Sequence, residues 1–298
     1  MRAKLSVRMP YRLDLTVAAL RRVPTNAVDV VAPDGRYLRA LSNGRGINVI
    51  EVRQASISEI DVRITGRDGG RHLQTIARML GTDVDLAPWY RRTKAFPWLD
   101  NLAHRFRGVK PPRYPGLWET LCHGIVFQQL SILAGAAIMR RLVECLSGPV
   151  EHEDLVLYPF PNPEAVLSAS KLELQSIGLS RMKASYLKNA AEAVTARILS
   201  EKQIEHVSTD DAARELSKLR GIGPWSSAVI LLRGFGRLGA FPLGDSGVAR
   251  GIKALSDGRP IEIDKVLAEL GDMRGMLYFH LLLARRPTAM NHPSGAER

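Results

Sequence analysis

The hydrophobic pattern of this chain changes period once, and that change limits what it can fold into. Before residue 66, apart from one short helical stretch, apolar residues alternate with polar ones, as a half-buried strand requires. After residue 70 they recur every three or four positions, as one face of a helix requires. Residues 4–8 alternate as a strand, and residues 14–22 carry a short helical pattern. Residues 28–31, 37–41, 47–52 and 57–64 are β-type runs, punctuated by turn signals at Pro33-Asp34-Gly35 and Asn43-Gly44. Successive hairpins of this kind predict an antiparallel sheet. The β signal stops at Gly66-Arg67-Asp68-Gly69-Gly70, and Leu73, Ile76, Ala77 and Leu80 open the helical spacing. Further helices are expected over residues 117–128, 133–146, 163–169, 172–177, 183–199, 209–219, 224–233 and 263–270, and the polar tail 287–298 is expected to fray. The expected class is α+β, with a sheet domain over residues 1–86 and an all-helical region over 87–298.

Charge narrows the partner. The 298 residues carry 42 Lys+Arg against 30 Asp+Glu, a formal net charge of +12, on an ordinary background of 45% hydrophobic residues. That composition excludes a disordered chain and points to an acidic partner. No apolar run is long enough to span a bilayer, and residues 1–10 contain no apolar leader core. A cytoplasmic location without a membrane partner is the expectation. Two cysteines, Cys122 and Cys145, are too few for a disulfide framework, a four-cysteine zinc site or a four-cysteine iron–sulfur cluster. Seven scattered histidines form no HExxH, so neither metal nor cofactor is expected.

The chemistry concentrates in two stretches. Leu219-Arg220-Gly221-Ile222-Gly223-Pro224-Trp225-Ser226-Ser227 ends one helix and starts another. Its glycines permit positive φ and close approach, and Pro224 suits the first helical position. The segment is either a plain connector or a phosphate site made of backbone N–H groups at a helix N-terminus. Then follows Phe241-Pro242-Leu243-Gly244-Asp245-Ser246-Gly247, in which Asp245 precedes a helical stretch. Asp245 is a helix cap, a carboxylate mounted near the hairpin, or both.

A glycine hairpin followed by a fixed aspartate resembles the helix–hairpin–helix DNA glycosylase superfamily, and within it the DNA-3-methyladenine glycosylase II branch. Residues 107–113, 117–131 and 177–187 resemble that family's linker, first core helix and next helical junction. The resemblance implies two helical subdomains with an active-site cleft between them. It implies a monomer that binds double-stranded DNA containing damaged bases, flips the target and hydrolyses its glycosidic bond. Strand-cleaving members carry a lysine nucleophile two positions after the hairpin's second glycine; here Trp225 stands there, and tryptophan cannot form a Schiff base. The implied activity is therefore excision of alkylated purines in base excision repair, without lyase activity. A glycosylase for deaminated bases and a non-catalytic damage-binding protein are the alternatives.

The resemblance also assigns roles. Asp245 would stabilise the oxocarbenium-like sugar. Trp225, Tyr278 and His280 would line the base pocket or else fill the core. Gly221, Ile222, Gly223, Ser226 and Ser227 would bind DNA, together with Gln128, Gln129 and Leu130. Gln129 is the position matching the family's wedge, or simply a polar turn. Arg91, Arg92, Lys94, Arg105, Arg107, Lys110, Arg113, Arg140, Arg141, Arg181 and Lys183 are further phosphate-contact candidates within a basic face.

Overall fold

The computed structural model describes residues 1–42, 44, 46–255 and 261–284; Asn43 and the polar tail 287–298 lie outside the described residues. Strand β1 (Arg2–Ser6) leads into helix α1 (Leu13–Arg21), and β2 (Val30–Val31), β3 (Tyr37–Ser42), β4 (Ile47–Gln54) and β5 (Glu59–Thr65) follow. The sheet order is β1-β5-β4-β3-β2, with every pair antiparallel. Successive strands pair as a meander from β2 to β5, and β1 closes the other edge with Leu5 opposite Ile60. The alternation in β5 places Ile60, Val62 and Ile64 inward, where they pack with Val17 and Leu20 of α1 and Tyr114.

The helical part comprises α2 (Leu73–Leu80), α3 (Ala87–Thr93), α4 (Pro97–Arg105), α5 (Leu117–Val126) and α6 (Ile132–Leu146), then a two-stranded hairpin, β6 (Val150–His152) and β7 (Leu155–Leu157). After it come α7 (Pro163–Ser168), α8 (Lys171–Ser176), α9 (Arg181–Thr195), α10 (Glu201–Glu205) and α11 (Thr209–Ser217). The series ends with α12 (Pro224–Arg233), α13 (Ser246–Leu255), α14 (Ile263–Leu270) and α15 (Gly275–Ala284). Helix starts follow capping chemistry: Ser131, Ser170 and Ser180 each accept from the backbone N–H three residues on, and Pro224 occupies the start of α12. The hairpin β6–β7 stands inside the region expected to be helical, and Leu157 packs with Leu38, Ala40 and Val49 of the sheet. Among the described residues, no helix is long and apolar enough to cross a membrane.

Buried charge joins the sheet to the helices. Arg39 of β3 donates to Asp29 at 2.6 Å and to Glu119 of α5, and Tyr37 donates to the same Asp29 oxygen at 2.8 Å. At the other end of the interface, Arg233 of α12 donates to the carbonyls of Ala19 and Leu20, at 3.2 and 3.0 Å. These bonds satisfy carbonyls in the last turn of α1 and fix where that helix stops. Helix α15 is buried on almost every side, which makes it the central helix of the larger core.

Candidate active site

The hairpin between α11 and α12 forms as a tight turn in which Ile222 N–H donates to Leu219 O at 3.0 Å. Gly221 has φ +94°, and a methyl group there would overlap the Tyr186 ring of α9. Gly223 differs from expectation: its φ of −100° and ψ of −175° are ordinary extended values, and nothing lies within 4 Å of where a Cβ would point. Only Gly221 is required by backbone conformation. Gly223 instead keeps the surface open beside the first turn of α12, where the Trp225 and Ser226 N–H groups precede the first intrahelical acceptor. The side chains of Ser226 and Ser227 are buried. Ser226 Oγ donates to Gly124 O at 3.3 Å, and Ser227 Oγ lies 3.3 Å from Ser217 Oγ. Both hydroxyls are thus engaged within the protein, although Ser226 also borders the cleft described below.

Asp245 is held from two sides. Its Oδ1 accepts from the N–H groups of Gly247 and Val248, at 2.7 and 2.9 Å, capping α13. Its Oδ2 accepts from Trp225 Nε1 at 2.9 Å, across 20 residues of sequence. The cap and the mounted carboxylate are therefore one arrangement. The N-terminus of α13 favours the anion, and the indole fixes its direction.

Both residues open onto a cleft of about 910 Å³. Its walls are the hairpin, the turn after α5, the first turn of α9, the Asp245 loop and one face of α15. Gln128 ties the walls together, its Nε2 donating to Gly221 O at 2.6 Å and to Ser226 Oγ at 2.8 Å. Gln129 is exposed and held at φ +55°, an uncommon conformation for a residue with a Cβ; Leu130 beside it is half-buried. Lys183 reaches across to donate to Val126 O at 2.9 Å and Gln128 O at 2.7 Å, and burial lowers its pKa. Its ammonium is engaged with these two carbonyls and holds the end of α5. Lys110 is likewise buried, donating to Val84 O at 2.7 Å, with its pKa lowered to about 8 by burial.

Tyr278 lines the cleft, but His280 does not. His280 is fully buried, 4.7 Å from the Trp89 ring and 6.3 Å from Phe106, and its Nδ1–H donates to Met276 O at 2.9 Å. Burial lowers its pKa to about 4, so it is neutral. Two positions along a helix are about 200° around it, so Tyr278 and His280 cannot share one face. Leu281 and Leu282, three and four positions beyond Tyr278, are the residues of α15 that join it in the cleft wall.

Arg22, which no motif marked, also lines the cleft. It follows the last residue of α1 with φ +61°, its guanidinium sits 4.3 Å over the Phe127 ring, and its Nη2 donates to Tyr278 Oη at 3.4 Å. Burial disfavours its charge, but Tyr114, Tyr278 and Asp245 more than offset this and raise its pKa. Elsewhere, Glu51, His152 and Glu153 bring ligand atoms within 4.8 Å of one another. Arg36 pairs with both carboxylates there, at 2.6 and 2.7 Å, so that cluster is an ion-pair network.

A sheet domain thus stands against a helical body, with a glycine hairpin and a capped aspartate on one cleft. Residues 122–271 match the model of the HhH-GPD superfamily of base excision DNA repair proteins, and the chain belongs to that superfamily. It is 31% identical over 173 residues to a DNA-3-methyladenine glycosylase of Bacillus subtilis, covering 58% of this chain and 57% of that relative. Its fold matches a 3-methyladenine DNA-glycosylase from Archaeoglobus fulgidus, with a TM-score of 0.79 at 24% identity over 94% of this chain and 97% of that one. It also matches a Clostridium acetobutylicum 8-oxoguanine glycosylase/lyase in complex with DNA, with a TM-score of 0.73 at 16% identity, covering 95% of this chain and 96% of that one.

Proposed function

We propose that this chain is a monofunctional DNA glycosylase that flips alkylated purines of the 3-methyladenine type out of duplex DNA and hydrolyses their glycosidic bonds. The observation that carries this reading is the Asp245 carboxylate, fixed by Trp225 and two backbone N–H groups at the edge of a cleft large enough for a base. Breaking the bond builds positive charge on the sugar, and a preorganised anion there stabilises the transition state without reorganising. A cationic alkylated base leaves without a dedicated acid, so one carboxylate suffices. The names of the Bacillus subtilis and Archaeoglobus fulgidus relatives support the same substrate class.

DNA is held by the hairpin N–H groups and positioned by charge, while Gln129 fills the stack left by the flipped base. The enzyme acts as a monomer in the cytoplasm. Trp225 stands where the superfamily resemblance puts a nucleophilic lysine, and Lys183 in the cleft wall is engaged with two carbonyls. The test uses duplexes carrying one 7-methylguanine or one 3-methyladenine analogue. Free base should appear, the strand should stay intact until alkali is added, and borohydride should trap no adduct. A borohydride-dependent crosslink would overturn the monofunctional reading.

A further inference from the structure

Arg22 is unusual for what surrounds it. A half-buried guanidinium ordinarily meets a carboxylate, yet among the described residues no carboxylate oxygen is paired with Arg22, and its enclosed Nε has no hydrogen-bond partner. Its neighbours are the Phe127 ring and the Tyr278 hydroxyl, both buried in the cleft wall. The backbone that presents it is held at φ +61°, a conformation rare for a residue with a side chain, and Arg233 fixes the helix end just before it. Strain of this kind at a cleft marks a position that the surrounding structure holds in place.

Glycosidic hydrolysis sends the electron pair of the C1′–N9 bond to the purine, while the water oxygen bonds C1′ and releases its proton. A cationic alkylated purine departs neutral. An uncharged purine departs carrying the negative charge until it is protonated, and its six-membered ring offers carbonyl and nitrogen acceptors. A fixed cation in the wall of the cleft disfavours a cationic base and stabilises an anionic leaving group. Arginine adds planar, forked donors suited to a purine edge.

Resting on the glycosylase reading above, we propose that Arg22 is a specificity-determining residue that extends excision to uncharged damaged purines bearing a ring carbonyl. Neutral lesions depend on Arg22 more strongly than cationic alkylated purines do. The N-terminal sheet domain thus supplies, through the end of α1, a group to a pocket otherwise built from the helical region.

The experiment measures single-turnover base release from two duplexes, one with a single hypoxanthine and one with a single 7-methylguanine. Both lesions carry the same six-position carbonyl; they differ in charge and in the 2-amino and 7-methyl groups of 7-methylguanine. Wild type is compared with Arg22→Gln and Arg22→Lys. The expected result is a loss of about 10²-fold on hypoxanthine for Arg22→Gln against a loss at least about tenfold smaller on 7-methylguanine, and recovery of about tenfold on hypoxanthine by Arg22→Lys. Equal losses on both lesions overturn the inference and leave the glycosylase reading standing, as does a wild type that releases 7-methylguanine but no hypoxanthine. A wild type that releases neither base overturns both.

Discussion

Replacing each hairpin glycine separates folding from DNA binding, because the two positions are glycine for different reasons. At Gly221 the φ of +94° penalises any Cβ, and that Cβ would also run into the Tyr186 ring. The backbone cost is about 1–2 kcal/mol and overpacking adds about 1–3 kcal/mol, so Gly221→Ala should lose roughly 2–5 kcal/mol. Against a total of about 5–15 kcal/mol the variant still folds, with Tm lower by roughly 5–15 °C. At Gly223 the backbone is extended and the Cβ direction is open, a conformation that suits valine. Gly223 is the N-cap of α12, where valine caps less well than glycine, so Gly223→Val should lose only about 1 kcal/mol of stability. Its isopropyl group would stand where a phosphate approaches the N–H groups of Trp225 and Ser226. Losing one hydrogen bond to a charged group costs about 1.5–3 kcal/mol, a roughly 10- to 100-fold weaker affinity for lesion and normal duplex alike. The slope of log affinity against log salt should become shallower by about 0.9 for each phosphate lost. Anisotropy titrations at several salt concentrations, paired with thermal melts, read both quantities. A folded Gly223→Val protein with wild-type affinity and salt slope would remove the hairpin from the interface.

Gln128→Leu should lose about 2 kcal/mol of stability, since Gly221 O and Ser226 Oγ both lose a donor; a denaturant midpoint equal to wild type would show that the hairpin is held by other contacts. Gln129→Gly should relieve the φ of +55° without unfolding the protein while slowing base release more than duplex binding; equal release rates would make Gln129 a plain turn residue. His280 is held neutral with a pKa near 4, below its unfolded value near 6.5, so the unfolded state binds more protons between these values. That contribution is complete above pH 6.5 and is lost as pH falls toward 4, about 3 kcal/mol in all. Comparing His280→Phe with wild type by urea unfolding across this range should show a difference that changes with pH in this direction, and a pH-independent difference would refute the assignment.

The sheet and most helices were legible because their burial is one-sided. Alternation in Ile60, Val62 and Ile64, and the serine caps of α6, α8 and α9, point to the structures these segments adopt. Helices α3 and α4 were not read, since seven and nine residues leave little room for a period, and the three-residue strands β6 and β7 leave less. The site divided in the same way. Asp245 and Trp225 lie in a motif, and local chain geometry brings their loops together. His280 was misplaced because α15 is apolar all round and carries no stripe to show which side faces the cleft. Arg22 left no signal at all: it is one of 42 Lys+Arg residues, and only the packing of α1 against Arg233 and Phe127 places it 256 positions away from Tyr278 in sequence yet beside it in space.

The central claim is that the Asp245 charge, and not its capping bonds, drives base release. Asp245→Asn keeps a side-chain oxygen for the N–H groups of Gly247 and Val248 and loses the anion beside Trp225. Asparagine caps nearly as well as aspartate, so the fold should survive. A preorganised charge contact of this kind is worth about 10²–10³ in rate, roughly 3–4 kcal/mol. Single-turnover release of 7-methylguanine by Asp245→Asn should fall by that factor while duplex affinity holds or tightens, since a negative charge near phosphates is gone. Release at close to the wild-type rate would contradict the account and leave Asp245 as a helix cap alone.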